Sequence, residues 1–243
     1  MKIRFLGTGT STGVPEIGCR CEVCTSNNTK DKRLRTSILV STNDKQILLD
    51  CGPDFRQQML SVPFRKIDAV FLSHEHYDHT GGIDDLRPFC QFEDINIYAE
   101  KDVCQAIKQR IPYCFKKNKY PGTPNINLKE IGLNPTNIEG INISAIRVLH
   151  GKLPIFGYRI ENIAYLTDVL SIPEEEYKKL KNLDILIINS LRIKEHPSHQ
   201  TLEKALKQIE KINPKQAYLI HMSHHFGLHN TMQERLPKNV TIA

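Results

Sequence analysis

No stretch of the 243 residues approaches the roughly 20 consecutive apolar positions that a membrane-spanning helix needs, so no membrane partner is expected. The opening Met1-Lys2-Ile3-Arg4-Phe5-Leu6 enters a strand at once, and its apolar part is too short for a secretory leader, so a cytoplasmic location is expected. Internal repeats and low-complexity tracts are lacking. The apolar segments are spread evenly, which favours one core and a single domain over 1–243. A long basic arm is lacking as well. The one dense basic cluster, Lys116-Lys117-Asn118-Lys119, sits in a Pro/Gly-bearing loop and reads as a solvated surface. A net charge of +6 suits an anionic substrate but is common in proteins that have none.

Disulfides are not expected. The seven cysteines are odd in number, nothing points to secretion, and three of them, Cys19, Cys21 and Cys24, fall within six positions. Three thiolates in a tight turn need a fourth ligand to close a tetrahedron around a metal. Cys51, Cys90, Cys104 and Cys114 have no comparable setting and read as packing residues.

Residues 74–79 read His-Glu-His-Tyr-Asp-His, directly after the apolar run Ile67–Leu72 and before Gly81-Gly82. The run predicts a buried strand and the glycines a break, which puts the cluster on a loop at a strand end. In an extended segment His74 and His76 point the same way, and a turn then sends Asp78 and His79 toward a second position. Imidazole and carboxylate suit zinc, iron or manganese.

Further strands are predicted at 3–6, 36–41, 46–50, 95–99, 127–131, 141–148, 157–160, 163–166, 185–188 and 217–220, with an Asn43-Asp44 turn between the second and third. Helices are predicted at 54–60, 101–111 and 201–212. The last has Leu202, Ala205, Leu206, Ile209 and Ile212 on one face and is ended by Asn213-Pro214. Asp50, His150, Asp168 and His221 each follow a predicted strand. Singly they would read as turn caps or core histidines; their recurrence suggests ligands gathered from separate parts of the chain.

Taken together, His-x-His-x-Asp-His followed by His150, Asp168 and His221 resembles the metallo-β-lactamase superfamily, with Leu48-Leu49-Asp50-Cys51-Gly52 matching its first motif. The resemblance covers essentially the whole chain. It implies an α/β fold, the four-layer αββα sandwich, with two divalent metals, Mn2+ or Zn2+, at the edge of the sheets. By this resemblance His74, His76 and His150 hold one ion, Asp78, His79 and His221 the other, and Asp168 bridges them, with Asp50 buttressing the ligand loop. Phe5–Pro15 and Gly18–Cys24 are similar to the PhnP-type phosphoribosyl cyclic phosphate phosphodiesterases. Those enzymes resemble tRNA 3′-processing endonucleases but carry an extra structural zinc. That likeness implies a small zinc-binding insertion near 18–26, with Cys19, Cys21, Cys24 and the distant His224 as ligands and His225 as a bystander.

The function implied is a dinuclear metal-dependent hydrolase, a phosphodiesterase acting on a cyclic or other small phosphodiester through a metal-bridging hydroxide. Asp168, His199 and Asp78 are the residues expected at its catalytic centre. The family places a functional histidine where His199 stands, in Ser198-His199-Gln200-Thr201-Leu202; the plain alternative is a helix cap. His196 is expected at the surface, and Arg192, Arg87 and Lys152 in solvated or ion-paired roles. The loop from Gly7 to Gly13 lacks the Lys-Ser/Thr ending of a P-loop and is expected to turn the first strand near the active site. Fold membership leaves other chemistries open: a tRNA 3′-processing-like endoribonuclease, with nucleic acid as partner, a thioester hydrolase, or a metal-binding module without turnover. Family members include dimers, so a homodimer is among the expected assemblies.

Overall fold

The computed structural model describes residues 1–42 and 44–243; of the predicted Asn43-Asp44 turn, Asn43 lies outside the described residues. Two compact units emerge: Met1–Gly7 with Thr36–Gly132, and Thr8–Arg35 with Leu133–Ala243.

The first unit is built on a six-stranded sheet in sequence order: β1 (Lys2–Gly7), β2 (Ser37–Thr42), β3 (Lys45–Leu49), β4 (Ala69–Phe71), β5 (Ile95–Ala99) and β6 (Ile126–Glu130). β1, β2 and β3 pair antiparallel, whereas β3 to β6 run parallel. Parallel strands need crossovers, here made by helical segments at Phe55–Met59 and Lys101–Arg110. The second buries Val103, Cys104 and Ile107 in one cluster with Val70, Leu72 and Ile97. Burial on both faces explains why Ile47–Leu49 of β3 and the whole of β4 are continuous apolar runs rather than alternating ones. The strand predicted over 67–72 is shorter than its pattern. Asp68 turns its carboxylate to the Gln46 amide at 2.8 Å, and beyond Phe71 the chain leaves the sheet toward the histidines.

The second unit carries seven strands: β7 (Thr136–Ile138), β8 (Ile141–His150), β9 (Leu153–Ile160), β10 (Ile163–Leu166), β11 (Ile185–Asn189), β12 (Gln216–Ile220) and β13 (Val240–Ile242). They lie in the order β13-β12-β11-β10-β9-β8-β7, parallel from β10 to β13 and antiparallel from β7 to β10. β9 begins four residues before the predicted start, because β8 offers a full-length partner down to His150 opposite Leu153. The helix Leu202–Ile212 connects β11 to β12. The Thr201 hydroxyl accepts from the Lys204 amide at its start, and Asn213 closes it at φ 54, a left-handed conformation that asparagine tolerates. Its Ala205, Ile209 and Ile212 enter a cluster with Leu186, Ile188, Ala217 and Leu219.

The parallel register sets Leu166 beside Ile188 and Asn189 beside Ile220. Asp168, Asn189 and His221 therefore emerge along one carboxyl edge of this sheet, the edge at which α/β sheets bind ligands. No helix among the described residues is long and apolar enough to cross a membrane.

Candidate metal centres

In the first unit the predicted loop contains one helical turn, Tyr77–Thr80, ended by Gly81. That turn, rather than continued extended chain, carries Asp78 and His79 past His74 and His76. Asp50 stands where β3 ends, with φ 61, and grips the loop from beneath. Its Oδ1 accepts the Ser73 amide at 2.8 Å, and its Oδ2 accepts the Ser73 hydroxyl at 3.0 Å and His79 Nδ1 at 2.8 Å. His74 Nδ1 meets the Ser73 hydroxyl at 2.9 Å. The hydroxyl hydrogen is committed to Asp50, so His74 Nδ1–H donates to Ser73. Both buried histidines thus have Nδ1–H tied down and present Nε2 lone pairs. His74 Nε2 lies 3.0 Å from His76 Nδ1, and His79 Nε2 lies 3.1 Å from Asp78 Oδ2. Acceptors brought this close, on residues of which only His76 is exposed, fit a shared cation.

In the second unit His150 donates Nδ1–H to the Ser198 carbonyl at 3.0 Å, which likewise leaves Nε2 as its donor atom. His221 Nε2 lies 3.1 Å from Asp168 Oδ1, and the Thr167 hydroxyl donates to the same oxygen at 2.6 Å. His150, Asp168 and His199 each bring a ligand atom within 4.8 Å of the others. Asp168 and His221 have φ values of 57 and 56, left-handed conformations that cost free energy for any residue with a Cβ. One fixed partner for the Asp168 turn is Asn189, which the sequence reading did not single out. Fully buried, it accepts the Val169 amide at 2.7 Å and donates to the Val169 carbonyl at 3.1 Å. The clue was available: Asn189 is a polar residue ending an apolar strand, as Asp168 and His221 nearly do.

His199 is not a helix cap, since Thr201 holds that position. Its ring lies 4.5 Å from that of His150 and 5.1 Å from that of His221, and its Nδ1 is 3.9 Å from Asp168 Oδ2. Burial pushes its pKa down to about 3 against the opposing pull of Asp168, so the imidazole is neutral at pH 7. His196, expected at the surface, is half-buried with its ring 5.1 Å from that of His199; Ser198 holds it there through its hydroxyl and amide. Arg87 pairs with Asp84, and Arg192 donates to the Lys194 and Glu195 carbonyls. The Gly-rich loop bridges Arg35 and Met222 through Gly9, which brings it beside His221. A Cβ at Gly9 would lie 2.7 Å from the Arg33 carbonyl oxygen.

A third group, also in the second unit, unites residues far apart in sequence. Cys19 and Cys21 Sγ lie 3.1 and 3.3 Å from His224 Nδ1, and these three donors and Cys24 Sγ are all within 4.8 Å of one another. His224 Nε2 lies 3.1 Å from Glu16, a carboxylate that orients the ring so that Nδ1 faces the thiols. The Cys24 amide donates to Cys21 Sγ and the Glu16 amide to Cys24 Sγ. Burial opposes the Cys21 thiolate, yet the Cys24 amide, His224 and the neighbouring thiols bring its pKa down to about 6, while burial pushes Cys24 up to about 11. Three sulfurs and one imidazole nitrogen with this spacing fit tetrahedral zinc. His225 is exposed beside them. Cys51, Cys104 and Cys114 are buried and Cys90 is half-buried.

Parallel strands with histidines and aspartates at their carboxyl ends are shared by a large class of metal-dependent proteins. The Beta-lactamase superfamily domain matches residues 45–222, and the chain belongs to that superfamily and has its fold. Within it, a solved diphosphatase from the PhnP family is similar with a TM-score of 0.93 and 36% identity, over 99% of this chain and 93% of that one. The zinc-bound PqqB from Methylobacterium extorquens shares the fold, with a TM-score of 0.80 at 18% identity over 100% of this chain and 97% of its own. The octanoyltransferase of Porphyromonas gingivalis is 48% identical over 243 residues, 99% of this chain but 49% of that protein. The chain spans about half the length of the curated relatives it matches.

Proposed function

We propose that the chain is a metal-dependent phosphohydrolase that cleaves a cyclic or other small phosphodiester. The observation that carries this reading is its likeness to the PhnP-family diphosphatase at 36% identity over 99% of the chain. The Cys19, Cys21, Cys24 and His224 group supports it, since the PhnP type is the branch expected to hold a structural zinc. By the family pattern His74, His76 and His150 would hold one divalent ion, Asp78, His79 and His221 a second, and Asp168 both, with manganese or zinc suiting the donors. When bound, such ions activate water and offset charge on phosphoryl oxygens.

The remaining work falls to the chain's own groups. Asp50 orients His79 and the Ser73 hydroxyl, and through Ser73 it orients His74. His199, neutral at working pH, acts as a hydrogen-bond donor to the leaving oxygen rather than as a stored proton, because a group with a pKa near 3 holds almost none at pH 7. The test is metal analysis of the purified protein, followed by assays of the manganese- and zinc-reconstituted forms. Substrates are bis(p-nitrophenyl) phosphate, a 2′,3′-cyclic nucleotide, an unsymmetrical nucleoside diphosphate and an octanoyl thioester, with Asp168→Ala as control. Phosphodiester turnover lost in the variant supports the proposal, and no phosphoester or phosphoanhydride turnover with metals loaded overturns it.

A second reading is thioester hydrolysis. It is favoured by the octanoyltransferase name of the 48% identical relative, since acyl transfer draws on activated acyl groups. The part of that protein outside the match can equally carry the named activity. Preference for the octanoyl thioester over every phosphate substrate would select this reading.

A further inference from the structure

We infer that His196 is a second hydrogen-bond donor of the site, one that reads an oxygen carried by the leaving alcohol of the substrate. That role rests on the phosphodiesterase reading above, with His199 donating to the leaving oxygen itself, and it adds a residue that sets which alcohols are accepted.

The loop that carries His196 is fixed at several points. Arg192 folds back on it, donating from Nε to the Lys194 carbonyl at 3.2 Å and from Nη2 to the Glu195 carbonyl at 2.6 Å. The Ser198 carbonyl accepts from His150 Nδ1 at 3.0 Å and from the Gly151 amide at 3.1 Å, which pins the loop to the turn between β8 and β9. Gly151 permits this close approach: its φ is +61, and a Cβ there would lie 3.4 Å from Ser198 Cβ. A side chain on such a loop is positioned before any substrate arrives.

The ring itself is fixed as well. The Ser198 amide and hydroxyl lie 3.3 and 3.2 Å from His196 Nδ1. An amide can only donate, so Nδ1 accepts and the ring hydrogen sits on Nε2. Among the described residues Nε2 has no hydrogen-bond partner, and it stays within reach of solvent. The His196 ring lies 5.1 Å from that of His199, which in turn lies 5.1 Å from that of His221 and 4.5 Å from that of His150. Of these four histidines His196 alone is not buried. A buried imidazole that serves the leaving oxygen is thus followed outward by a half-buried one whose N–H is committed to nothing in the chain. A fixed neutral donor in that place suits a further oxygen on the same alcohol, as a sugar offers close to its scissile bond and p-nitrophenol does not. A purely structural role would use Nδ1 and be indifferent to Nε2.

Two variants separate the two nitrogens. His196→Asn keeps a short acceptor for the Ser198 amide but does not reach the position of Nε2, whereas His196→Gln brings an amide donor to that reach. The experiment measures kcat and KM of the metal-loaded full chain for a 2′,3′-cyclic nucleotide and for bis(p-nitrophenyl) phosphate. Calorimetry adds the affinities for a nucleoside 3′-monophosphate and for inorganic phosphate, which need no turnover. In His196→Asn the preference for the cyclic nucleotide over bis(p-nitrophenyl) phosphate should fall about tenfold, and the preference for the nucleotide over inorganic phosphate should fall about as much, as expected for one hydrogen bond between neutral groups. His196→Gln should recover most of both. Equal preferences in the wild type and His196→Asn, or equal losses in the two variants, would overturn the inference. Selective nucleotide binding that is lost in His196→Asn and kept in His196→Gln, in a protein that turns over no phosphodiester, would support the donor and remove the phosphodiesterase reading.

Discussion

Replacing Asn189 with alanine should cost about 3 kcal/mol and loosen the turn that carries Asp168. The figure follows from what each bond leaves behind. The Val169 carbonyl keeps a partner, since the Gln200 amide also donates to it at 2.9 Å, so losing the Asn189 donor costs about 1 kcal/mol. The Val169 amide, in a fully buried residue, loses the acceptor it meets at 2.7 Å, and an orphaned buried donor costs about 1–3 kcal/mol. For a chain of this size about 3 kcal/mol lowers Tm by roughly 6–12 °C. Calorimetry and urea unfolding measure the loss, and metal retention after dialysis reports on Asp168. Asn189→Asp sharpens the test. It keeps the acceptor but turns a second oxygen toward the Val169 carbonyl, so the buried carboxyl must stay protonated and its folded pKa rises above the unfolded value of about 3.9. Stability of that variant should be greatest below about pH 4 and fall as pH rises. A loss under about 1 kcal/mol in Asn189→Ala, or a pH-independent Asn189→Asp, would refute the reasoning.

On the proposed assignment of a structural zinc to the thiol group, Cys21→Ser should lower the tightly held zinc by one per chain, read by elemental analysis, and leave metal uptake by the histidine clusters unchanged. His199→Gln, which keeps a neutral donor, should retain about tenfold more activity than His199→Ala; equal losses would show that donation is not its role. Because the His199 pKa is pushed down to about 3, the wild-type rate should show no inflection from this residue between pH 5 and 8. Gly82→Ala should destabilise by about 3 kcal/mol or more, since its Cβ would lie 2.1 Å from the Gly52 carbonyl oxygen, whereas Gly18→Ala, with φ +79 but nothing within 4 Å, should cost only about 1 kcal/mol. Comparable Tm losses for the two glycine variants would contradict that ordering.

The strands that sequence pattern locates best are those with a continuous apolar stretch between polar stops. Ile95–Ala99 and Ile163–Leu166 match their predicted limits, and the 201–212 periodicity marks a helix that begins one residue later. Three-residue β7 and β13 are too short for a period to register. The nine-residue 3-10 segment Ile83–Gln91 carries Asp84-Asp85 and Pro88, which read as breakers. At the candidate sites, residue type and position at strand ends were readable because few side chains bind metal. What stayed hidden was conformation. Nothing in a sequence states that Asp50, Asp168 and His221 share left-handed backbone, because Asp and His at strand ends serve equally as ordinary turn residues. Asn189 was hidden for a related reason: its function is to hold a neighbour's main chain, and an asparagine ending a strand announces no chemistry.

The distance along the chain between Cys19 and His224, 205 residues, gives the thiol group a history during synthesis. At about 5–20 residues per second, a ribosome makes the three cysteines roughly 10–40 s before the histidine that completes their set. Through that interval a nascent chain displays an open trio of thiols while the imidazole that meets them in the folded chain is untranslated. The cell must therefore keep oxidants and thiophilic ions such as Cu(I) away from an unfinished protein. Metal choice at this position becomes a matter of timing and supply as much as of geometry.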